Sequence, residues 1–181
     1  MGIYLLSEHT ASGTPAVIEI TGIDGSYNEY QFQLVNIHAQ TDDTHLQFQV
    51  ETDAADYVQP MTTTYHQTYN SESGGVPVFA YSTGNDQATV GDTNGVFQNI
   101  AKEMGNDNDA SASGIFTLYN PASTVYVKHF MSTTNCYQSG SATMQAFVNG
   151  YINVAAAITK IKFMMSSGNI AAGTIYMYGV G

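Results

Sequence analysis

Apolar side chains in this chain recur at every second residue, and almost nowhere at helical spacing. Successive residues of a strand point to opposite faces, so this pattern commits a segment to a half-buried β-strand. Ala16, Ile18 and Ile20 alternate with Val17, Glu19 and Thr21, and Gly22 to Gly25 then ends the run. Tyr30, Phe32 and Leu34 form the next apolar row, after which the phase slips and Val35, Ile37 and Ala39 carry it. A one-residue slip of that kind marks a β-bulge. Leu46, Phe48 and Val50 then alternate with Gln47 and Gln49. With Asp42-Asp43 as a two-residue turn, Ala39 faces Leu46, Ile37 faces Phe48 and Val35 faces Val50. Residues 30–51 are therefore expected to form a β-hairpin.

Further strands are expected at about 61–69, 76–82, 95–103, 114–119, 124–134, 143–154, 158–166 and 174–180. Turn-rich segments separate them, notably Asn70 to Gly75, Thr83 to Asn94 and Gly105 to Gly114. Ala155 to Ala157 is the one stretch that reads as a helical turn. Many short strands without a convincing helix predict an all-β fold, an antiparallel two-sheet β-sandwich and, in its finer form, a jelly roll. The sandwich is assigned to residues 16–181. Residues 1–15, apolar at Ile3, Tyr4 and Leu5 and then rich in Gly, Ser and Thr, are expected to be an arm that reaches a neighbouring subunit. A chain of 181 residues is long enough to bury roughly 70% of its unfolded surface as one domain.

Charge narrows the choice of partners. Lys102, Lys128, Lys160 and Lys162 are the only strong bases, against 15 Asp and Glu, and the formal net charge is -11. Nucleic acid and anionic membrane surfaces both demand clustered Lys and Arg, so neither is expected as a partner. Only 10% of residues are charged, against roughly 25% in an ordinary domain, so amides, hydroxyls and 13 tyrosines must cover the surface. A single cysteine, Cys136, allows no internal disulfide. The start Met-Gly-Ile-Tyr-Leu-Leu has neither the basic flank of a signal peptide nor the length of a membrane span, so synthesis in a cytoplasm, or release from one by lysis, is expected.

Residues able to do chemistry are few. In the expected hairpin, His38 and His45 lie diagonally on the polar face near Asp43, within reach of a shared metal, although a closed site needs about four ligands. Asp107, Asp109 and Ser111 alternate like calcium ligands, but Ala112 and Leu118 stand where an EF-hand needs Gly and Glu, so a polar rim loop is the better reading. Asp86 and Asp92 read the same way. Cys136 lacks a nucleophile signature, and no elbow, phosphate loop or metalloprotease motif occurs. No enzyme activity, cofactor or metal is therefore expected. Tyrosines are more informative, because a half-polar ring suits interfaces and stacking on sugars. Tyr57, Tyr65, Tyr69, Tyr81, Tyr119, Tyr126, Tyr137 and Tyr151 lie in or beside strands. The outward pair Tyr176 and Tyr178, with Ile3, Tyr4 and Leu5, is the expected interaction surface.

One set of motifs carries a resemblance. Ile158 to Phe163, Met165-Ser-Ser-Gly-Asn-Ile170 and Gly173 to Val180 resemble the closing strands of small virion structural proteins of tailed bacteriophages, especially those of marine bacteria and cyanobacteria. Ile23 to Tyr27 with Tyr30 to Phe32 and Val35 to Ile37, Thr62 to Tyr65, Leu118 to Pro121 and Val127 to Phe130 are similar to the same group. The resemblance runs from about residue 17 to the end. It implies a β-sandwich present in many copies on the outer surface of a phage particle, as a head decoration or cement protein. A homo-oligomer such as a trimer, bound to capsid or other virion proteins, would be its working form. The alternative is a tail-fibre or appendage module that binds a host receptor or saccharide. No catalytic residue is implied, because the shared motifs are turns and strands.

Overall fold

The computed structural model describes residues 2–53, 56–88 and 96–181. Asp92 and the start of the strand expected from residue 95 lie outside them. Among the described residues there are twelve strands: β1 (Ile3–Thr10), β2 (Val17–Thr21), β3 (Glu29–Ala39), β4 (Thr44–Thr52), β5 (Met61–Ser71), β6 (Val78–Tyr81), β7 (Gln98–Met104), β8 (Ala112–Tyr119), β9 (Lys128–Gln138), β10 (Ala142–Ile152), β11 (Ile158–Met165) and β12 (Ile170–Val180). Every pairing is antiparallel. No helix occurs among the described residues, and Ala155 to Ala157 is a bend, not the expected helical turn.

The strands form one nearly closed antiparallel sheet whose two parts, here called layers, face each other across the core. The large one runs β1-β12-β3-β8-β9-β10-β5-β6 and the small one β7-β4-β11-β2, and they join where Met104 of β7 pairs with Gln138 of β9. The pairs β5–β6, β4–β7 and β3–β8 are nested about the loop between β5 and β6, and β2–β11 lies outside them. Because β3–β8 and β5–β6 lie in the large layer and β4–β7 in the small one, the chain is a long antiparallel ribbon that crosses the core at each step.

The alternating residues meet between the layers. Phe48 of β4 packs on Phe116 of β8 at 4.5 Å between ring centres and on Phe130 of β9 at 4.9 Å, while Phe32 of β3 meets Phe163 of β11 at 5.9 Å. These rings are buried, with Ile20, Leu34, Ile37, Leu46, Val50 and Ile161 around them. Each such side chain contributes about 1.5–3 kcal/mol by leaving water, so this shared layer holds the two sets of strands together.

The expected hairpin does not form. β3 pairs with β12 and β8, and β4 pairs with β11 and β7. The turn through Asp42 and Asp43, with Asp43 at φ 53°, carries the chain from one layer to the other. Alternation reports which face of a strand is buried, not which strand lies beside it, and both apolar rows do face one core, from opposite sides. The bulge is present: pairing shifts between Leu34 and Ile37, with Asn36 at φ 50°. Val35 is only half-buried, so the inward row resumes at Ile37. Opposite it, β12 bulges at Gly173, which lies inside that strand and does not begin it.

Residues expected to be a reaching arm are paired within the chain. Ile3–Thr10 is β1, laid along β12 with Leu5 opposite Tyr178 and Glu8 opposite Tyr176. Gly2 and Gly181 exchange backbone hydrogen bonds at its start. The hydrophobic stretch at residues 3–6 thus finds a strand partner on one side only.

Candidate functional site: an uncharged outer face

Strand alternation gives each layer an outer face, and the two differ in charge. On and beside the small layer, Lys160 Nζ lies 2.6 Å from Glu51 Oε1, and Lys102 Nζ lies 3.0 Å from Glu103 Oε1. Lys162 stands 3.9 Å over the ring centre of Tyr57, whose hydroxyl donates to Glu19 Oε2 at 2.6 Å. Burial, and then the Glu19 carboxylate, push the Tyr57 hydroxyl well above its usual range, while burial lowers Lys162. The fourth lysine, Lys128, is buried at the start of β9 and donates to the Val154 carbonyl at 3.0 Å.

Across the large layer the outward positions are nearly free of charge. One register row crosses all of it, from Glu8 through Tyr176, Gln33 and Ile115. It continues through Thr133, Phe147 and His66 to Tyr81. The neighbouring row runs Leu5, Tyr178, Gln31, Thr117, Met131, Asn149 and Thr64. Between β12 and β6, Glu29 is the only carboxylate at an outward strand position among the described residues, and no lysine occupies one. Apolar groups stand in the open here: Phe79 is 72% exposed, Met131 53% and Ile115 46%. Exposed aromatic, aliphatic and Met side chains set among uncharged polar ones are the composition of interface cores.

Recesses lie in this face, and two of them expose aromatic rings. A groove of about 520 Å³ is lined by Tyr119, His129, Met131, Asn149, Tyr151 and Thr64. Its rings are mutually braced: the Tyr119 hydroxyl donates to Met131 Sδ at 3.7 Å, and His129 packs edge-on to Tyr151 at 6.2 Å. Nearer β6, a recess of about 390 Å³ is walled by Phe79, Thr68, Asn70, Asn135 and Gln145. Between them His66 stacks on Phe79 and meets the edge of Tyr81 at 5.0 Å. Rings, amides and hydroxyls of this kind can pack and hydrogen-bond.

The residues expected at the interaction surface are partly brought together. Tyr176 and Tyr178 point outward from β12, and Leu5 lies beside Tyr178, on the same side of β1 as Ile3. Tyr4 falls on the opposite side, with its ring 6.1 Å from Tyr27, which packs edge-on to buried Tyr30. Sequence reading missed Ile115, Met131 and Phe79. Their signal is position: Ile115 and Met131 stand beside Phe116 and Phe130, on the phase that alternation sends outward.

The other candidates separate. His38 Nδ1 donates to the Ala110 carbonyl at 2.5 Å, and His45 Nδ1 accepts the Glu103 N–H at 3.0 Å, so loss of the hairpin leaves them on different layers with different partners. Among the described residues no three His, Cys, Asp or Glu side chains come close enough to hold a metal. Asp86 accepts the Tyr81 hydroxyl at 2.5 Å, and Asp109 borders a shallow recess with Asn36 and His38. Cys136 is buried on β9, where loss of hydration pushes its thiol up to about 12.

No protein-family model matches the chain, and no curated protein or solved structure is significantly similar to it.

Proposed function

We propose that this chain is a non-enzymatic structural protein of a bacteriophage virion, a head decoration or cement protein on the outer capsid surface, that docks on its neighbours through the uncharged face of the large layer. The observation that carries the reading is the segregation of surface charge: Lys102, Lys160 and Lys162 and the carboxylates near them gather on the small layer, rings, amides and hydroxyls cover the large one, and its one lysine, Lys128, is buried. Interface cores are depleted in charge and enriched in aromatic residues and Met. Eight strands about 4.8 Å apart give a face roughly 34 Å wide, enough for the roughly 800 Å² per partner of a standard interface.

Two further features support it. The nested pairs β5–β6, β4–β7, β3–β8 and β2–β11 follow the winding of a jelly roll, with β9–β10 inserted and β1 and β12 added at one edge. The closing motifs from Ile158 to Val180 resemble those of phage virion proteins. A decoration protein in many copies bridges adjacent capsid subunits, and many modest contacts then sum by avidity.

Quantitative mass spectrometry of separated heads and tails of the encoding phage tests the assignment. Enrichment in heads at a copy number comparable to the major capsid protein supports it; low copy number confined to tails overturns the decoration role. The groove beside Tyr119 and Tyr151 favours a second reading, a tail appendage that stacks host saccharide on those rings. Binding of the isolated protein to specific sugars on a glycan array, lost on Tyr151→Ala, would support that alternative.

A further inference from the structure

At the β6 end of the large layer two recesses share a floor. The first, of about 390 Å³, is lined by Thr68, Asn70, Asn135, Thr143 and Gln145 beside the ring of Phe79. The second, of about 340 Å³, continues along Asn70, Asn135 and Thr143 to Tyr137 and Glu72. Register explains the grouping: Gln145 stands between Asn135 and Thr68, Thr68 is opposite Phe79, and Thr143 stands between Tyr137 and Asn70. Directly opposed side chains on one face of a sheet are about 5 Å apart, so three amides and two hydroxyls lie side by side next to one ring. Asn135 Nδ2 donates to Thr143 Oγ1 at 2.8 Å and to the Met144 carbonyl at 3.1 Å, which fixes its Oδ1 as an open acceptor. Among the described residues nothing in the chain takes up the side-chain amides of Asn70 and Gln145. His66 stacks on Phe79, yet that ring stays 72% exposed.

We infer that this cleft binds an uncharged saccharide, with the C–H face of one sugar ring on Phe79 and its hydroxyls on the amides of Gln145, Asn135 and Asn70. The lining selects that class of ligand. Among the described residues no charged side chain lines the first recess, so a phosphate, carboxylate or ammonium group would lose its hydration there without an ionic partner. A wholly apolar ligand would strip water from three amides and leave them unpaired. An extended peptide finds no backbone edge on the floor, because β5, β9 and β10 each have neighbours on both sides. A sugar ring meets every condition: it is neutral, its hydroxyls both donate and accept as the amides do, and its C–H face packs on an aromatic ring. The size suits it too, since small-molecule sites occupy about 300–1,000 Å³. This cleft is separate from the groove at Tyr119 and Tyr151, and its occupancy does not depend on where the protein sits in a virion.

Affinity electrophoresis of the full chain in native gels tests it, with glucomannan, mannan, laminarin, galactan and dextran each cast in its own gel and polygalacturonate as the acidic control. At least one neutral polymer should retard the wild type, and polygalacturonate should not. Phe79→Ala and Gln145→Ala should each weaken the retarding interaction about tenfold with an unchanged circular dichroism spectrum. Tyr151→Ala, in the other groove, should migrate like the wild type. A wild type that runs unretarded through every neutral gel, or is retarded by polygalacturonate alone, would overturn the site. So would retardation that Tyr151→Ala abolishes and Phe79→Ala leaves intact, which would move binding to the other groove. The decoration role is read separately, by fractionation of heads and tails.

Discussion

Gly173 of β12 packs against the peptide that joins Asn36 to Ile37, so that a β-carbon there would lie 2.6 Å from the Asn36 carbonyl oxygen and 2.7 Å from the Ile37 Cα. The two bulges lock together across the β3–β12 pair: Gly173 has φ +116° and Asn36 φ 50°. This lock returns Ile37 and Ala39 to the core after the phase slip. Gly173→Ala combines positive-φ strain with backbone overlap and is expected to cost about 2 kcal/mol or more. Urea unfolding should show a lower midpoint with an unchanged slope; a midpoint within error of the wild type would show that the bulges are not coupled.

Asp24 sits in the turn before β3 and accepts the Ser26 N–H at 3.0 Å and the hydroxyl of buried Tyr30 at 2.8 Å. The Ser26 backbone bond, followed by the Tyr30 hydroxyl, lowers its carboxyl below the usual range. Folding therefore favours the ionised form, and its stabilisation is present above the unfolded value of about 4 and is lost as pH falls through the lower folded value. Asp24→Asn should be less stable than the wild type at pH 7, and the gap should close as pH falls below about 4. Urea midpoints measured over that range check it; a gap independent of pH would refute the carboxylate's role.

The thiol of Cys136 faces the core and donates to the Lys102 carbonyl at 3.6 Å. With its titration pushed up to about 12 it stays protonated and inaccessible at pH 8. A thiol reagent should label the native protein only as fast as it opens, and label it completely in denaturant. Rapid stoichiometric labelling of the native protein would contradict the burial of β9.

Strand partners are open to direct test. Gln47 of β4 lies opposite Met164 of β11, and paired antiparallel Cα atoms, about 4.5–5.5 Å apart, suit a disulfide. Gln47→Cys with Met164→Cys should cross-link within one chain. Val35→Cys with Val50→Cys, the pair that a β3–β4 hairpin would place together, should not. The reverse result would restore the hairpin.

What the sequence made legible follows from what alternation encodes. Of the first expected row Ile18 and Ile20 are buried while Ala16 is exposed just before β2; Tyr30, Phe32, Leu34, Leu46, Phe48 and Val50 are all buried, and the slip before Ile37 is a true bulge. Partnership was not legible, since Phe48 would face a core equally well beside β3 or beyond it. β1 was hidden because Ile3 to Leu6 do not alternate; an edge strand with both sides open needs no buried row. Tyr176 and Tyr178 emerged because they stand outward between Ile175 and Met177. Ile115 and Met131 did not, because an apolar residue beside a core phenylalanine reads as more core until the strand's phase is known.

Co-sedimentation with purified heads of the encoding phage tests the central claim most directly. Ile115→Lys with Met131→Lys places two charges in the uncharged face at exposed positions, where the fold itself should lose no more than about 0.5 kcal/mol each. Lys160→Ala on the opposite face serves as control. The wild type and the control should sediment with heads, and the double lysine variant should stay in the supernatant while keeping its circular dichroism spectrum. Equal sedimentation of the double variant, or no sedimentation of the wild type, would contradict docking through the large face.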